Sequence, residues 1–190
     1  MKSLPPAELS RVADFLFEAG ALQHTPRSGF QYLGTGRQSV AEHSLRSCFV
    51  AWTLARLEPS VDARRLLELV LFHDLPEVRT GDLNYVNKLY VKTMEAQAWK
   101  DLCQGLAFGP EIAALAEEFT RNESREARLA HDADQLDMLL ALKEQLDSGN
   151  PRAAGWIPAV RRRLTTEAGR QLAEAILEAE ADRWWLGKVV

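Results

Sequence analysis

The chain has 190 residues, of which 46% are hydrophobic and 26% are charged, and its formal net charge is −4. This length and composition predict a soluble globular protein with a sizeable core and exclude a disordered or fibrous chain. The acidic balance argues against a nucleic-acid polymer as a partner, because proteins that bind one usually carry a strongly basic face.

The cysteines and the N-terminal residues bear on the compartment. Only Cys48 and Cys103 are present, which is too few for a disulfide scaffold, so we expect a reducing, cytoplasmic environment. The start of the chain lacks the apolar stretch of a signal peptide, and no apolar run approaches the length needed to cross a bilayer. We therefore expect no membrane partner.

Helical periodicity dominates from end to end and strand-like alternation is nearly absent, which predicts an all-α fold. A first helix is expected over residues 6–19, followed by an irregular loop over residues 25–36. Ser39 and Glu42 have the spacing of a capping box, which starts a helix that carries His43 in its first turn and runs to residue 57. Asp62 can cap the next helix, and Pro76 ends it just beyond His73 and Asp74. The later helices are predicted over residues 86–106, 110–121, 124–146, 153–164 and 166–185.

His73 and Asp74 are adjacent at the end of a strongly apolar helix. An unpaired buried carboxylate there would cost roughly several kcal/mol, and a divalent cation would offset that cost. Together with His43 and Asp134, these residues offer two imidazoles and two carboxylates. That donor set suits manganese, cobalt, iron, zinc or nickel better than calcium or magnesium. We predict one divalent transition metal, because few histidines remain for a second ion.

Two aspartates compete for the last metal-ligand position. Asp132 and Asp134 point about 200° apart on a helix, so only one of them can face a common centre. Small or flexible neighbours at i−4 and i+4 leave room beside Asp134, whereas Arg128 suggests a solvated face for Asp132. We therefore select Asp134, and we interpret Asp137 as a polar boundary residue.

The motif-bearing residues resemble a known family. His43, His73-Asp74 and Asp134 match the H…HD…D signature of the HD-domain metal-dependent phosphohydrolases. The segment from His73 to Asp82 is similar to the HD-x-x-E-x-x-x-G-D block of the 5′-deoxynucleotidase branch, and residues 39–44 are similar to its S-V-x-E-H segment. The resemblance implies a single HD-domain helical bundle over residues 1–190 with the metal at its centre. The motif-bearing core would cover about residues 11–146, and further helices would cover about residues 153–185.

The resemblance also implies site residues and an assembly. Glu77 and Asp82 match carboxylates that handle the attacking water and the leaving group. The sequence alone does not separate their roles; we assign Glu77 to the water and Asp82 to the substrate side. Arg27 and Phe30 fall where those enzymes place a substrate-binding arginine followed by an aromatic residue. A homodimer is also implied.

The leading hypothesis is hydrolysis of deoxyribonucleoside 5′-monophosphates to deoxynucleoside and phosphate. One alternative is an HD-type nucleoside triphosphatase or phosphodiesterase, although few cations lie near the motifs. Another is a non-catalytic domain that binds a nucleotide and a metal. The run Arg161-Arg162-Arg163 is interpreted as a solvated helix face outside the active site.

Overall fold

The computed structural model describes residues 5–189. Within that range it contains no β-strand, only an isolated bridge between Pro26 and Ser39, and the all-α prediction is confirmed. The helices are α1 (Pro6–Gly20), α2 (Phe30–Leu33), α3 (Val40–Leu57), α4 (Ala63–Phe72), α5 (Glu77–Thr80), α6 (Asn87–Tyr90), α7 (Glu95–Cys103), α8 (Gly109–Arg121), α9 (Arg125–Asp147), α10 (Ile157–Arg161), α11 (Glu167–Glu178) and α12 (Arg183–Leu186), with 3₁₀ turns at Ala21–His24 and Pro151–Gly155.

Two predicted helix starts are confirmed by their capping contacts. The Ser39 hydroxyl accepts from the Glu42 amide at 3.2 Å, and the Glu42 carboxylate accepts from the Ser39 amide at 2.6 Å. The Asp62 carboxylate accepts from the amides of Arg64 and Arg65 at 3.0 Å each. These contacts satisfy backbone donors that would otherwise be unpaired in the first turns of α3 and α4.

Several predicted boundaries are wrong. The helix expected over residues 86–106 is divided into α6 and α7, and Val91 between them is extended, as β-branched residues favour. The helix expected over residues 166–185 ends after Glu178, because the Asp147 carboxylate accepts from the Ala181 amide at 2.9 Å instead of allowing the helix to continue. The loop over residues 25–36 contains α2, and the helix over residues 153–164 is a 3₁₀ turn followed by the short α10.

The core is built mainly by α3, α4 and α9, with α11 packed on α9. Its largest fully buried side chains include Leu54, Leu66, Leu69, Leu136 and Leu139. A smaller buried cluster lies between α1, α7 and α8, and Phe72 at the end of α4 packs against both clusters. Within residues 5–189, no helix combines the length and hydropathy needed to cross a bilayer. The division into a single domain over residues 1–190 stays a prediction.

Candidate metal and catalytic site

The two predicted histidine ligands meet at the centre of the core. His43, in the first turn of α3, is fully buried, and its Nδ1 donates to Asp137 at 2.6 Å. His73 follows α4, and its Nδ1 donates to the carbonyl of Val70 at 2.7 Å. Because these partners can only accept, each Nδ1 carries a hydrogen, and each Nε2 is left for the centre. The two Nε2 atoms lie 3.2 Å apart.

Two carboxylates join the histidines. The Oδ2 of Asp74 lies 3.3 Å from the Nε2 of His43 and 3.2 Å from the Nε2 of His73. The Oδ1 of Asp134, in the middle of α9, lies 3.3 Å from the Nε2 of His43. All four residues selected from the sequence therefore converge, although they come from three separate parts of the chain.

This donor set fits a divalent cation. Metal–ligand distances of about 2.0–2.2 Å place neighbouring ligand atoms roughly 2.8–3.1 Å apart in octahedral sites and roughly 3.3–3.6 Å apart in tetrahedral sites, and the spacings found here, 3.2–3.3 Å, lie within that overall range. In addition, two neutral imidazoles with facing lone pairs would repel each other unless a proton or a metal lay between them. His43, His73 and Asp134 have ligand atoms close enough together to hold such a cation, and Asp74 lies within 3.3 Å of both histidines.

The pKa values of the site residues follow from the same contacts. Burial works to lower the pKa of His43, but hydrogen bonds to Asp134, Asp137 and Asp74 outweigh it and raise that pKa well above its usual value. Burial works to raise the pKa of Asp74, but the two histidines outweigh it and hold that pKa well below its usual range. The site therefore favours a positive charge at its centre, and metal and proton compete for it.

The two predicted catalytic carboxylates flank this centre. Glu77, at the start of α5, has its pKa raised to about 9 by burial, with further contributions from the charges of Asp74 and Asp82. The Oε2 of Glu77 is buried and has no hydrogen-bond partner within residues 5–189. Asp82 accepts from the amide of Ser28 at 2.6 Å and from its hydroxyl at 3.3 Å. Glu77 thus keeps one buried carboxyl oxygen without a partner in the described residues, while Asp82 is fixed to the loop that precedes α2.

The two predicted substrate residues are placed differently. Arg27 lies at the centre, with Nη1 3.2 Å from Asp74 and Nη2 3.8 Å from Asp134. Phe30 lies in α2, packs against the main core cluster and does not line the cavity beside the metal-ligand residues. Its role as a substrate contact stays a prediction. The aromatic side chain that lines this cavity from the C-terminal part is Trp156.

A cavity of about 560 Å³ opens beside the four converging residues. One end is lined by Arg27, Asp74, Glu77, Asp82 and Asp134. The other end is lined by residues that include Tyr85, Gln135, Met138, Trp156 and Arg163. This volume is in the range of ordinary small-molecule sites, which usually combine apolar walls with a few polar groups. A second cavity of about 380 Å³ touches His73 and Glu77 from another direction.

The interpretation of Asp137 as a polar boundary residue is wrong. It is fully buried, and besides His43 it accepts from Arg46 at 2.5 Å and from Gln38 at 3.1 Å. It therefore fixes the orientation of a metal-ligand imidazole, as carboxylates behind metal-binding histidines do. The sequence did contain one indication of this role. Asp137 lies one turn beyond Asp134 on a helix, on a neighbouring face.

Asp132 and Arg163 are two further corrections. Asp132 is fully buried instead of facing solvent beside an arginine, and its carboxylate accepts from the amides and hydroxyls of Thr165 and Thr166 at 2.5–3.3 Å. Arg163 is exposed, as predicted for the run 161–163, but it also lines the cavity, so the prediction that it lies outside the active site is wrong. Both errors have one cause: the partners come from the C-terminal segment, whose packing on α9 is not encoded in local periodicity.

A helical core with two histidines and two aspartates around one point defines a metal-site protein of the HD type. The comparison with known families agrees: a model described as HD domain matches residues 19–176, so the chain belongs to the HD domain family. The chain is similar to 5′-deoxynucleotidase HDDC2 of Danio rerio, with 30% identity over 142 residues, covering 72% of this chain and 70% of that protein. It is also 28% identical to 5′-deoxynucleotidase hdd1 of Schizosaccharomyces pombe, covering 70% and 71% of the two chains.

Solved structures give the same fold. A conserved hypothetical protein from Pyrococcus furiosus superposes with a TM-score of 0.74 at 26% identity, covering 88% of this chain and 99% of that chain. A predicted metal-dependent phosphohydrolase from Magnetospirillum magnetotacticum superposes with a TM-score of 0.73 at 23% identity, covering 98% and 99%. At that identity the second match supports the fold alone.

Proposed function

We propose that this protein is a metal-dependent phosphohydrolase that converts deoxyribonucleoside 5′-monophosphates to deoxynucleosides and phosphate. The observation that carries the proposal is the convergence of His43, His73, Asp74 and Asp134 beside a buried carboxylate oxygen of Glu77 that has no partner in the described residues. Relatives at about 30% identity are named 5′-deoxynucleotidases, which supports the substrate class.

His43, His73, Asp74 and Asp134 would hold the cation. When bound, such a cation lowers the pKa of a coordinated water and offsets charge on phosphoryl oxygens. We propose a single divalent transition metal, either manganese, cobalt, iron, zinc or nickel. A single ion is supported by the scarcity of other histidines, since the Nε2 of His131 already donates to a backbone carbonyl at 2.8 Å.

Proton transfer and substrate binding are assigned to residues of the chain. Glu77, which lines the cavity together with Asp74 and Asp134, orients the attacking water and accepts its proton in its ionised form, which the charge of a bound cation would favour. Asp82, held by Ser28, acts at the substrate side of the cavity. Arg27 binds phosphate oxygens with the fork of its guanidinium, which Asp74 already orients. Phe30 remains a predicted substrate-binding residue, and its packing against the core also anchors the loop that carries Arg27.

The partners and the compartment complete the proposal. A small nucleotide is the proposed ligand, with no nucleic-acid polymer and no membrane. A homodimer is supported by the exposed apolar residues Leu45, Phe49 and Trp52 along α3, since such a stripe is typical of an interaction surface. A cytoplasmic location is supported by two free cysteines. We also propose that residues 1–190 form one HD domain, with its core over about 11–146 and further helices over about 153–185.

The test is a phosphate-release assay on the metal-reconstituted protein. We expect release from dAMP, dGMP, dCMP and TMP, at rates above those for the matching ribonucleotides. Triphosphates and cyclic dinucleotides serve as competing substrates, and tripolyphosphate among the products would indicate the triphosphatase alternative instead. No release from any monophosphate, with metal confirmed bound, would contradict the proposal.

A further inference from the structure

The end of the cavity away from the metal-ligand residues has a wall from the C-terminal segment. Trp156, Ala159, Val160 and Arg163 all line it; Ala159 and Val160 lie in α10, Trp156 directly precedes that helix, and Arg163 follows it by two residues. We propose that this wall is the nucleobase subsite and that Arg163 makes the enzyme prefer guanine over adenine. The inference rests on the proposed function, since it assumes a nucleotide in the cavity.

Arg163 packs on an aromatic ring and forms few polar contacts within residues 5–189. Its guanidinium carbon lies over the Tyr85 ring, 4.4 Å from the ring centroid, a cation–π contact that uses the face of the guanidinium and none of its N–H donors. Its neighbour Arg161 pairs with Glu174, whereas Arg163 forms no ion pair within residues 5–189. Among the described residues its one hydrogen bond is long, 3.5 Å from Nη1 to the Oε1 of Gln135. A guanidinium that lines a cavity and has few partners there can donate hydrogen bonds to a ligand that carries acceptors.

The side chain of Gln135 connects the two ends of the cavity, so its length gives the distance between them. Its amide nitrogen donates to the Oδ2 of Asp134 at 2.8 Å, while its oxygen faces Arg163. Arg163 therefore lies one glutamine side chain away from a metal-ligand residue. A nucleoside monophosphate has a single anionic group, and the proposed function puts that group beside the metal ligands and Arg27. What reaches Arg163 is then the other end of the molecule, which is the base.

Trp156 supplies a surface for the base to stack on. Its ring lines the cavity and lies 3.6 Å from the position that a Cβ would take at Gly29, so the loop of Arg27 passes directly beneath it. Every base has an aromatic face, so stacking on Trp156 is tolerant of sequence. Discrimination must come from the edge of the base, where Arg163 offers only donors.

The edges of the two purines differ in the way that Arg163 can detect. Guanine presents two adjacent acceptors, N7 and O6, which match the donor fork of an arginine. Adenine presents N7 beside an amino group, so one donor of Arg163 would face another donor. We expect kcat/KM for dGMP to exceed that for dAMP by about tenfold, within the range that one bidentate contact provides.

The test compares the variant Arg163→Gln with the control variant Arg162→Gln. Arg162 is the preceding residue in the chain and does not line this cavity. With the metal-loaded protein, kcat/KM is measured for dGMP and dAMP, and the affinity for both nucleotides is measured by calorimetry. We expect the dGMP-to-dAMP ratio to fall to one or below in Arg163→Gln, because a glutamine amide matches the N7 and amino edge of adenine, and to stay near the wild-type value in Arg162→Gln.

Two outcomes would overturn the inference: an equal rate for both purines in the wild type, or a preference that survives in Arg163→Gln. The assay also separates this inference from the proposed function. If the wild type hydrolyses no monophosphate but binds dGMP more tightly than dAMP through Arg163, the proposed function fails and the base subsite stands. If the wild type shows neither turnover nor such binding, both fail.

Discussion

Asp137 and His43 form the shortest link between the candidate metal centre and the surrounding core. The Oδ2 of Asp137 lies 2.6 Å from the Nδ1 of His43, both side chains are fully buried, and Arg46 holds the other oxygen of Asp137. This contact fixes which nitrogen of His43 carries the hydrogen, so the remaining nitrogen keeps its lone pair directed at the centre.

The first prediction concerns this contact. Asp137→Asn retains an acceptor but removes the negative charge, so His43 becomes a weaker ligand, and we expect metal affinity to fall about 10–100-fold. Competition with a chromophoric chelator at fixed pH measures the change. Asp147→Asn, which alters an ion pair with Lys143 away from the site, is the control. Equal affinity in both variants would mean that Asp137 has only a structural role.

The second prediction separates catalysis from metal binding. Glu77 contacts the cavity but is not among the four converging residues, so Glu77→Gln should keep its metal and its fold. Its turnover of deoxynucleoside monophosphates should fall by about 10²–10⁴-fold, the usual contribution of a general base. Metal content and kcat are measured on the same sample, with the exposed Glu111→Gln as control. Undiminished turnover would assign the proton transfer to another group.

The third prediction follows from the pKa of Glu77. Burial and the neighbouring carboxylates raise this pKa from 4.5 to about 9 in the folded, metal-free protein. The folded state therefore binds a proton that the unfolded chain releases at lower pH, and stability is lost as pH rises between these two values. Glu77→Gln has no such loss, so its stability relative to wild type should increase from about pH 5 to pH 9, with a limiting slope of about 1.4 kcal/mol per pH unit.

Urea unfolding in the presence of a chelator measures this difference at several pH values. Metal should reduce it, because a cation offsets the repulsion between Glu77 and Asp74 that helps to raise the pKa. A stability difference that does not change with pH would show that Glu77 is not protonated in the folded metal-free protein.

The fourth prediction concerns the C-terminal segment. Asp132 is fully buried and accepts from the amides and hydroxyls of Thr165 and Thr166 at the start of α11, and a Cβ at Gly169 would lie only 2.3 Å from its carboxylate. Asp132→Ala removes four hydrogen bonds to a charged acceptor, and we expect a loss of about 3 kcal/mol in the free energy of unfolding. Denaturant unfolding tests this against the exposed Asp14→Ala. A change below about 0.5 kcal/mol would contradict it.

The sequence was sufficient for the centre of the site because its residues are marked by local patterns. His43 follows a capping box, and His73 and Asp74 are adjacent at the end of an apolar helix. The angular argument for Asp134 also selected the residue that lies at the centre, since α9 is one continuous helix. Each of these features depends on neighbours within about one or two helical turns.

What the sequence did not provide depends on contacts between distant segments. The break after Glu178 comes from Asp147, whose carboxylate binds the amide of Ala181, and no glycine or proline marks it. The placement of Arg163 on the cavity depends on how the C-terminal segment packs against α9. Hydrophobic periodicity describes the faces of a helix but not which helix covers them.

The most direct test of the account is the metal content of paired aspartate variants. Asp132 and Asp134 are two residues apart on α9, but only Asp134 contacts the histidine pair. After reconstitution with manganese or cobalt, elemental analysis should find one ion per chain in the wild type and in Asp132→Asn, and almost none in folded Asp134→Ala. A full complement of metal in Asp134→Ala, or none in the wild type, would contradict the proposal that these four side chains bind a cation.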